Sequence, residues 1–442
     1  MIDNKHRKHF CLPVHTRVQK STFEFWTATL IPGGLKGSPC PGRERNCCPL
    51  VQIDPSNDLN LRPYGFDYTN SYTSSLSFIS YLKLISHYCQ LPRMEHLRDS
   101  LLSSLPRDTP STAAIDHGRR DQEDTRQSIA RGDFKEVRDI AFSNRTWVVT
   151  SRYCDIGDGV DSLEGHIHSL WYMYYELGRN IPSESPEQEG IVLDILRIQG
   201  MGPLTRPARG VYGFDIARTV DGTLWNDLPF LVGDMTNLWV NHSASMSGAH
   251  RLNFATFLAK LASTRVAKDK LCQVALLIFR TLFESPQALR TGGESDDEDL
   301  NRGTKQLEVF HLLPAAVAWL KIASHNLLLL SEVYRNDCPS HISKGGEDFL
   351  ESGLGQRSPA GFSPWRYMFW LKRLYEIQEE AKEASEKALE ELATDGVQYM
   401  INTIKQRNSE ILRAYKNGGD ALHGDKGLSC LKPLARVEEP QS

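Results

Sequence analysis

The sequence predicts an all-α fold: an irregular multi-helix bundle with a long C-terminal helix, preceded by a largely unstructured N-terminal region. Three observations carry the prediction. Apolar residues recur every three or four positions through most of residues 162–415, the period of one helix face. No run of β-branched residues alternates with polar ones over the length of a strand, so no substantial sheet is expected. Residues 1–93 hold no sustained period at all.

That first stretch is punctuated by Pro32, Gly33, Gly34, Pro39, Pro41, Gly42 and Pro49, which marks loop, and only residues 76–88 form a coherent apolar piece. At Met94 the character changes, and Met94-Glu-His-Leu-Arg-Asp-Ser-Leu-Leu reads as an ordinary protein start. Residues 1–93 are therefore expected to be either a disordered basic arm or an extension wrongly joined to the native start. A peptide recovered by mass spectrometry from residues 1–80 decides for the arm.

The remainder divides into short helices and a linker (94–161), a helical domain (162–415) and a disordered tail (416–442). Within the first part, the polar run 106–133, with Pro106, Pro110 and the charges between Arg119 and Arg126, reads as the linker. Organised helix begins near Ser162, where Leu163, Ile167, Leu170, Trp171 and Tyr174 fall on one face. Ser185 then caps a helix with Pro186 at its first position and Gln188 completing a capping box. Further helices are predicted over 224–240, 250–263 and 267–284, the last with Leu271, Val274, Ala275, Ile278 and Leu282 on one face. An acidic loop at 291–303 separates these from an apolar helix over 306–334, and a loop with four glycines follows at 336–358. The final helix is predicted over 364–415. Its seam of Leu374, Ile377, Ala381, Ala384, Ala388 and Leu392 suits a partner helix, Glu383 and Lys387 form a supporting pair, and Gly396 marks a break.

Charge narrows the classes of function. The net charge of −4 gives no bulk attraction to phosphate. Residues 1–93 hold 11 Lys and Arg against 6 Asp and Glu, but no recognition motif accompanies them, so no nucleic-acid partner is expected. Nine cysteines without regular spacing make a poor disulfide framework and point to a reducing, cytoplasmic setting. Residues 1–20 are basic without an apolar core, unlike a secretory signal, so the sequons at Asn144 and Asn241 are not expected to carry glycans. The most apolar window, 312–333, is interrupted by Pro314, Lys321, His325 and Asn326 and reads as a buried helix rather than a membrane span.

The motifs of known chemistry are absent or incomplete. No Gly-x-Ser-x-Gly exists to expose a nucleophile on a sharp turn. Gly200-Met-Gly202-Pro-Leu-Thr205 lacks the third glycine of a dinucleotide loop and places Pro203 where helix entry should follow. His166 and His168, two apart on a helix, point roughly 200° from each other and have no third ligand at suitable spacing. Cys40, Cys47 and Cys48 lack the second pair that a zinc site needs, and the acidic run 294–299 lacks the alternating ligands of a calcium loop. No cofactor or metal is therefore expected. Ser295, followed by Asp296, Asp297 and Glu298, has the form of an acidic-directed phosphorylation site.

The tryptophans say more. Trp171, Trp225, Trp239, Trp319, Trp365 and Trp370 all fall in predicted helical segments, where aromatic side chains usually form core; the alternative is an aromatic-lined groove for a ligand or peptide.

The helical part resembles a family of uncharacterised fungal proteins grouped as a domain of unknown function. The resemblance rests on an ordered series over about residues 162–376. It includes Leu170-Trp171 followed by Ser185-Pro186-Glu187-Gln188; Leu224-Trp225-Asn-Asp-Leu228-Pro229; Arg251-Leu-Asn253-Phe-Ala-Thr-Phe257; Phe279-Arg280 with Glu284; Leu313-Pro314-Ala315-Ala316 with Trp319; and Gly361-Phe362-Ser363 with Arg366 and Phe369-Trp370. Tyr367 stands where tryptophan is expected. The family implies no activity, cofactor or catalytic residue. Its matched residues look architectural, with Pro229 and Pro314 near helix starts and Asn253 and Arg280 hydrogen-bonded within the bundle.

The core or pocket candidates are thus Trp171, Trp225, Trp239, Asn253, Arg280, Trp319 and Trp370. The leading expectation for function is a non-catalytic helical scaffold that binds a protein partner, or a second copy, through its C-terminal helix. The alternative is an enzyme or small-molecule binder with a pocket between helices, in fungal specialised metabolism.

Overall fold

The computed structural model describes residues 112–208, 213–289, 296–407 and 409–436, with side chains from residue 119 onward. The readings of residues 1–93, of the apparent start at Met94 and of Ser295 lie outside the described residues.

The described chain is all-α, with strands of only two or three residues. The helices are α1 (Thr112–Ala130), α2 (Phe134–Asp139), α3 (Thr146–Ser151), α4 (Glu164–Asn180), α5 (Pro186–Gly200), α6 (Leu231–His242), α7 (Gly248–Ser263), α8 (Gln273–Phe283), α9 (Val309–Ile322), α10 (Ser324–Glu332), α11 (Ser340–Ser343), α12 (Glu347–Glu351), α13 (Pro364–Glu383), α14 (Lys387–Lys405), α15 (Glu410–Lys416), α16 (Asp420–Gly424) and α17 (Lys432–Arg436). Between α5 and α6 lie two small antiparallel hairpins, β1 (Thr205–Pro207) with β2 (Phe214–Ile216), and β3 (Arg218–Thr219) with β4 (Gly222–Thr223).

The core gathers where α4, α7, α9, α13 and α14 meet. Leu170, Trp171, Tyr174 and Leu177 of α4 and Phe254, Phe257, Leu258 and Leu261 of α7 are fully buried, as are Trp319 of α9 and Trp370 of α13. Two serines cap helices, Ser185 as the sequence predicts and Ser247 where it was not singled out. Ser185 Oγ accepts from Glu187 N–H, and Ser247 Oγ from His250 N–H, each satisfying a donor that the first turn leaves free. Gln188, expected to close a capping box, turns inward instead. Its Nε2 donates to the carbonyls of Asn253, Ile181 and Gly178 and ties α5 to α7.

Several expectations are corrected. The polar run read as a linker is helix α1 from Thr112 onward. It docks through ion pairs and hydrogen bonds rather than an apolar stripe: Asp121 pairs with Arg145 at 2.7 Å, and Arg126 Nε donates to the Tyr172 hydroxyl at 2.7 Å. The predicted 306–334 helix is two helices, α9 and α10, bent by 79° at Ala323. No single helix among the described residues is long and apolar enough to cross a membrane. Pro314 sits inside α9 rather than at its start.

The long C-terminal helix is also broken. It folds back at Ser385, in the left-handed region at φ 62°, so that α13 and α14 pack on each other, and α15 follows after a further turn. Leu374, Ile377 and Ala381 are buried together with Leu389 and Ala393, so the first half of the seam expected to face a partner packs within the chain, while Ala384 and Ala388 at the reversal are exposed and Leu392 is half-buried. Gly396, read as the break, lies within α14, where a Cβ would sit 3.1 Å from Leu374 Cδ2 and 3.4 Å from Val317 Cγ2; it permits close helix approach. The tail read as disordered is ordered to Arg436, anchored by buried Leu428 and Leu431 and by Lys372 on Asp425 at 2.7 Å.

Candidate functional site

Left-handed backbone conformations cost most L-residues roughly 1–2 kcal/mol, because Cβ crowds the following carbonyl. Nine non-glycine residues hold positive φ among those described, and seven of them occupy two short segments. Trp225, Leu228 and Phe230 (φ 67°, 49° and 66°) precede α6, and Arg265, Ala267, Lys268 and Asp269 (φ 61°, 54°, 55° and 65°) precede α8. The two segments face each other across a cleft of about 530 Å³, closed on a third side by Asp337, Cys338 and Pro339.

These conformations displace two expected helix starts, from 224 to Leu231 and from 267 to Gln273. They persist because neighbours hold them. Trp171 Nε1 donates to the Pro229 carbonyl at 2.8 Å, and Asp227 Oδ2 accepts from Thr223 N–H at 2.9 Å. Gly222, at φ 137°, allows Asp227 to lie so close that a Cβ there would come within 2.6 Å of it. On the facing wall, Asp269 is buried, paired with Arg265 at 2.8 Å and hydrogen-bonded by Asn326 Nδ2 at 2.9 Å. Lys268 Nζ lies 3.7 Å from Asp227 Oδ1, linking the two walls at an exposed edge.

Inside, Leu228, Phe230 and Val232 supply apolar surface, and Gln273 supplies a buried amide whose Nε2 donates to Thr236 Oγ1 at 2.7 Å. Phe230 also packs on His168, ring centres 4.6 Å apart, and His168 Nδ1 meets Asp234 Oδ2 at 2.7 Å. That hydrogen bond raises the His168 pKa above its ordinary value, while burial raises that of Asp234.

A thiol and two carboxylates at the cleft are shifted from their ordinary values. Burial pushes the Cys338 thiol up to about 11, leaving little thiolate. The backbone N–H of Thr223 holds Asp227 below the usual carboxylate range, and Arg335 does the same for Asp337. Among the described residues no group of three His, Cys, Asp or Glu could hold a metal ion. A larger trough of about 840 Å³ lies beside the exposed Trp147, but it is shallow and its walls carry no such clustered strain.

None of the seven sequence candidates lines this cleft. Trp171, Trp225, Trp239, Trp319 and Trp370 are all buried, although Trp225 stands in the strained turn rather than on a helix. Asn253 receives Ser183 N–H at 2.9 Å and donates to the Arg179 carbonyl at 3.2 Å; Arg280 donates to the His341 carbonyl at 2.6 Å. Trp171 does reach the site indirectly, by fixing Pro229. The residues missed were Phe230, Lys268 and Gln273. One local signal was present: a residue before proline disfavours helix, so Leu228-Pro229 should have stopped any helix drawn through 224–230.

A family model described as "Protein of unknown function (DUF3632)" matches residues 171–374, a stretch that contains both walls of the cleft. The chain is 74% identical over 348 residues to "Oxopyrrolidines biosynthesis cluster protein G" of Penicillium oxalicum, covering 79% of this chain and 97% of that protein. No solved structure matches the chain. With an identity of this depth along nearly the whole of that relative, and the family's own model across the helical core, the chain belongs to the family described as protein of unknown function DUF3632.

Proposed function

We propose that this protein is a non-catalytic binder of a small molecule in fungal specialised metabolism, and that its ligand, an oxopyrrolidine or a precursor of one, occupies the cleft between the turn at 225–230 and the turn at 265–269. The observation that carries the reading is the concentration of seven left-handed L-residues in two segments, four of which, Leu228, Phe230, Ala267 and Lys268, line one cavity of ligand size. Strain of that kind survives where surrounding structure over-determines it, and such places cluster at ligand sites. The relative's printed name supplies the chemical class. Binding rather than turnover is favoured by a lining that holds no histidine, serine or tyrosine and by the burial of its thiol, Cys338. A scaffold role through the C-terminal seam has less support, since Leu374, Ile377 and Ala381, its larger side chains but for Leu392, are buried against the chain's own helices.

Gly233 lines the cleft with open space beyond it, so Gly233→Trp fills the cavity without entering the core. Oxopyrrolidines are expected to raise the melting temperature of the wild type, by an amount equivalent to about 2.7 kcal/mol at a hundred times Kd, and to leave the variant unmoved. Equal shifts in both proteins, or none in either across the class, would refute the reading.

A further inference from the structure

Gln273 gives the cleft a fixed polarity. The Thr236 hydroxyl has one proton and directs it to the Val232 carbonyl at 2.7 Å, an atom that can only accept. Toward Gln273, Thr236 is therefore an acceptor, and the side-chain amide must present Nε2 to it, as observed at 2.7 Å. The orientation of the amide follows from this chain of bonds and not from the similar shapes of its two ends. Oε1 is the atom left over, and it meets no donor among the described residues. Gln273 is 9% exposed and Thr236 4%, so the arrangement is held by packing as well as by hydrogen bonds. Beside it stand Phe230 and Val232, which offer apolar surface and no competing side-chain donor.

We propose that the cleft selects ligands by an N–H group: the N–H of a small lactam or secondary amide donates to Gln273 Oε1 while its ring lies against Phe230 and Val232. This rests on the reading of the cleft as a small-molecule site and adds what that site requires. Gln273 is then the specificity-determining residue and Thr236 its positioning residue. A ligand without the N–H covers Oε1 and strips its water without pairing it, so discrimination of about tenfold is expected.

The test titrates the full chain with 5-benzyl-2-pyrrolidinone and with its N-methyl derivative, reading Kd by saturation-transfer NMR. The N–H probe is expected to bind about tenfold more tightly. Gln273→Leu should bring the two probes to the same weak Kd. Thr236→Val leaves the cleft lining intact but frees the amide to turn, so it should lower the preference even if Gln273→Leu fails to fold. Equal binding of both probes to the wild type, competed away by Gly233→Trp, overturns the N–H selection and leaves the cleft reading standing. Binding of neither probe, or binding that Gly233→Trp does not affect, overturns both.

Discussion

Glu284 and Arg366 form a two-pronged ion pair with no exposure on either side chain: Nε meets Oε1 at 2.7 Å and Nη2 meets Oε2 at 2.9 Å. Around the pair, Trp370 Nε1 donates to Oε1 at 2.6 Å, Gly346 N–H to Oε2 at 2.8 Å, and Arg366 Nη1 to the Ser343 and Gly361 carbonyls. The cluster therefore pins the segment between α11 and α13 to the end of α8. It has no opening for a ligand, and its role is architectural.

Removing one partner leaves the other charge buried and unpaired. Arg366→Met and Glu284→Gln are each expected to destabilise the protein by about 3–5 kcal/mol, the double variant by less than the sum. Denaturant unfolding of the four proteins checks this. Additive losses would mean that the two side chains act independently.

Gly396 lets α14 approach α13 and α9. Gly396→Val should destabilise by about 1–3 kcal/mol, because its branches must displace Leu374 and Val317 from a filled interface. Helix propensity acts the other way by less than about 1 kcal/mol, so a more stable variant in thermal unfolding would show that the interface is loose.

Lys268 carries strain that a glycine would not. Its side chain is 83% exposed and its only ion pair among the described residues is the 3.7 Å contact with Asp227, which at such exposure contributes little. Lys268→Gly is therefore expected to raise stability by up to about 1 kcal/mol, the relief of φ 55° exceeding the added chain entropy. A loss of stability on equilibrium denaturation would contradict the strain argument.

The contact between His168 and Asp234 sets a pH dependence. His168 has a folded pKa raised above 6.5, so its contribution is fully present below pH 6.5 and is lost as pH rises through the folded value. Asp234, raised above 3.8 by burial, acts in the same direction at lower pH. Glu164 and Asp221 also face the imidazole and favour its charge. Melting temperature should fall between pH 6 and pH 8 in the wild type and fall less in His168→Gln. Parallel profiles would remove His168 from the account.

Much of the helical frame could be read along the chain. The apolar faces of 164–180, 248–263 and 273–283 need only the 3.6-residue period, and the starts at Ser185 and Ser247 need only a side-chain oxygen near free N–H groups. The charged helix α1 was hidden because its docking partners, Arg145, Ser169 and Tyr172, lie far along the chain. The reversal at Ser385 was hidden because neither glycine nor proline marks it.

The sequence by itself determined most of the helical segments beyond residue 162, the burial of Trp171, Trp239, Trp319 and Trp370 on apolar helix faces, and the lack of the familiar catalytic motifs, because period and motif spacing are local properties. Tertiary structure alone decided the cleft. Ala267, Lys268 and Asp269 have no intrinsic reason to turn left-handed, and Gln273 none to present its oxygen; long-range partners such as Asn326 and Thr236 impose both, because only a packed environment offsets conformations that a free chain avoids.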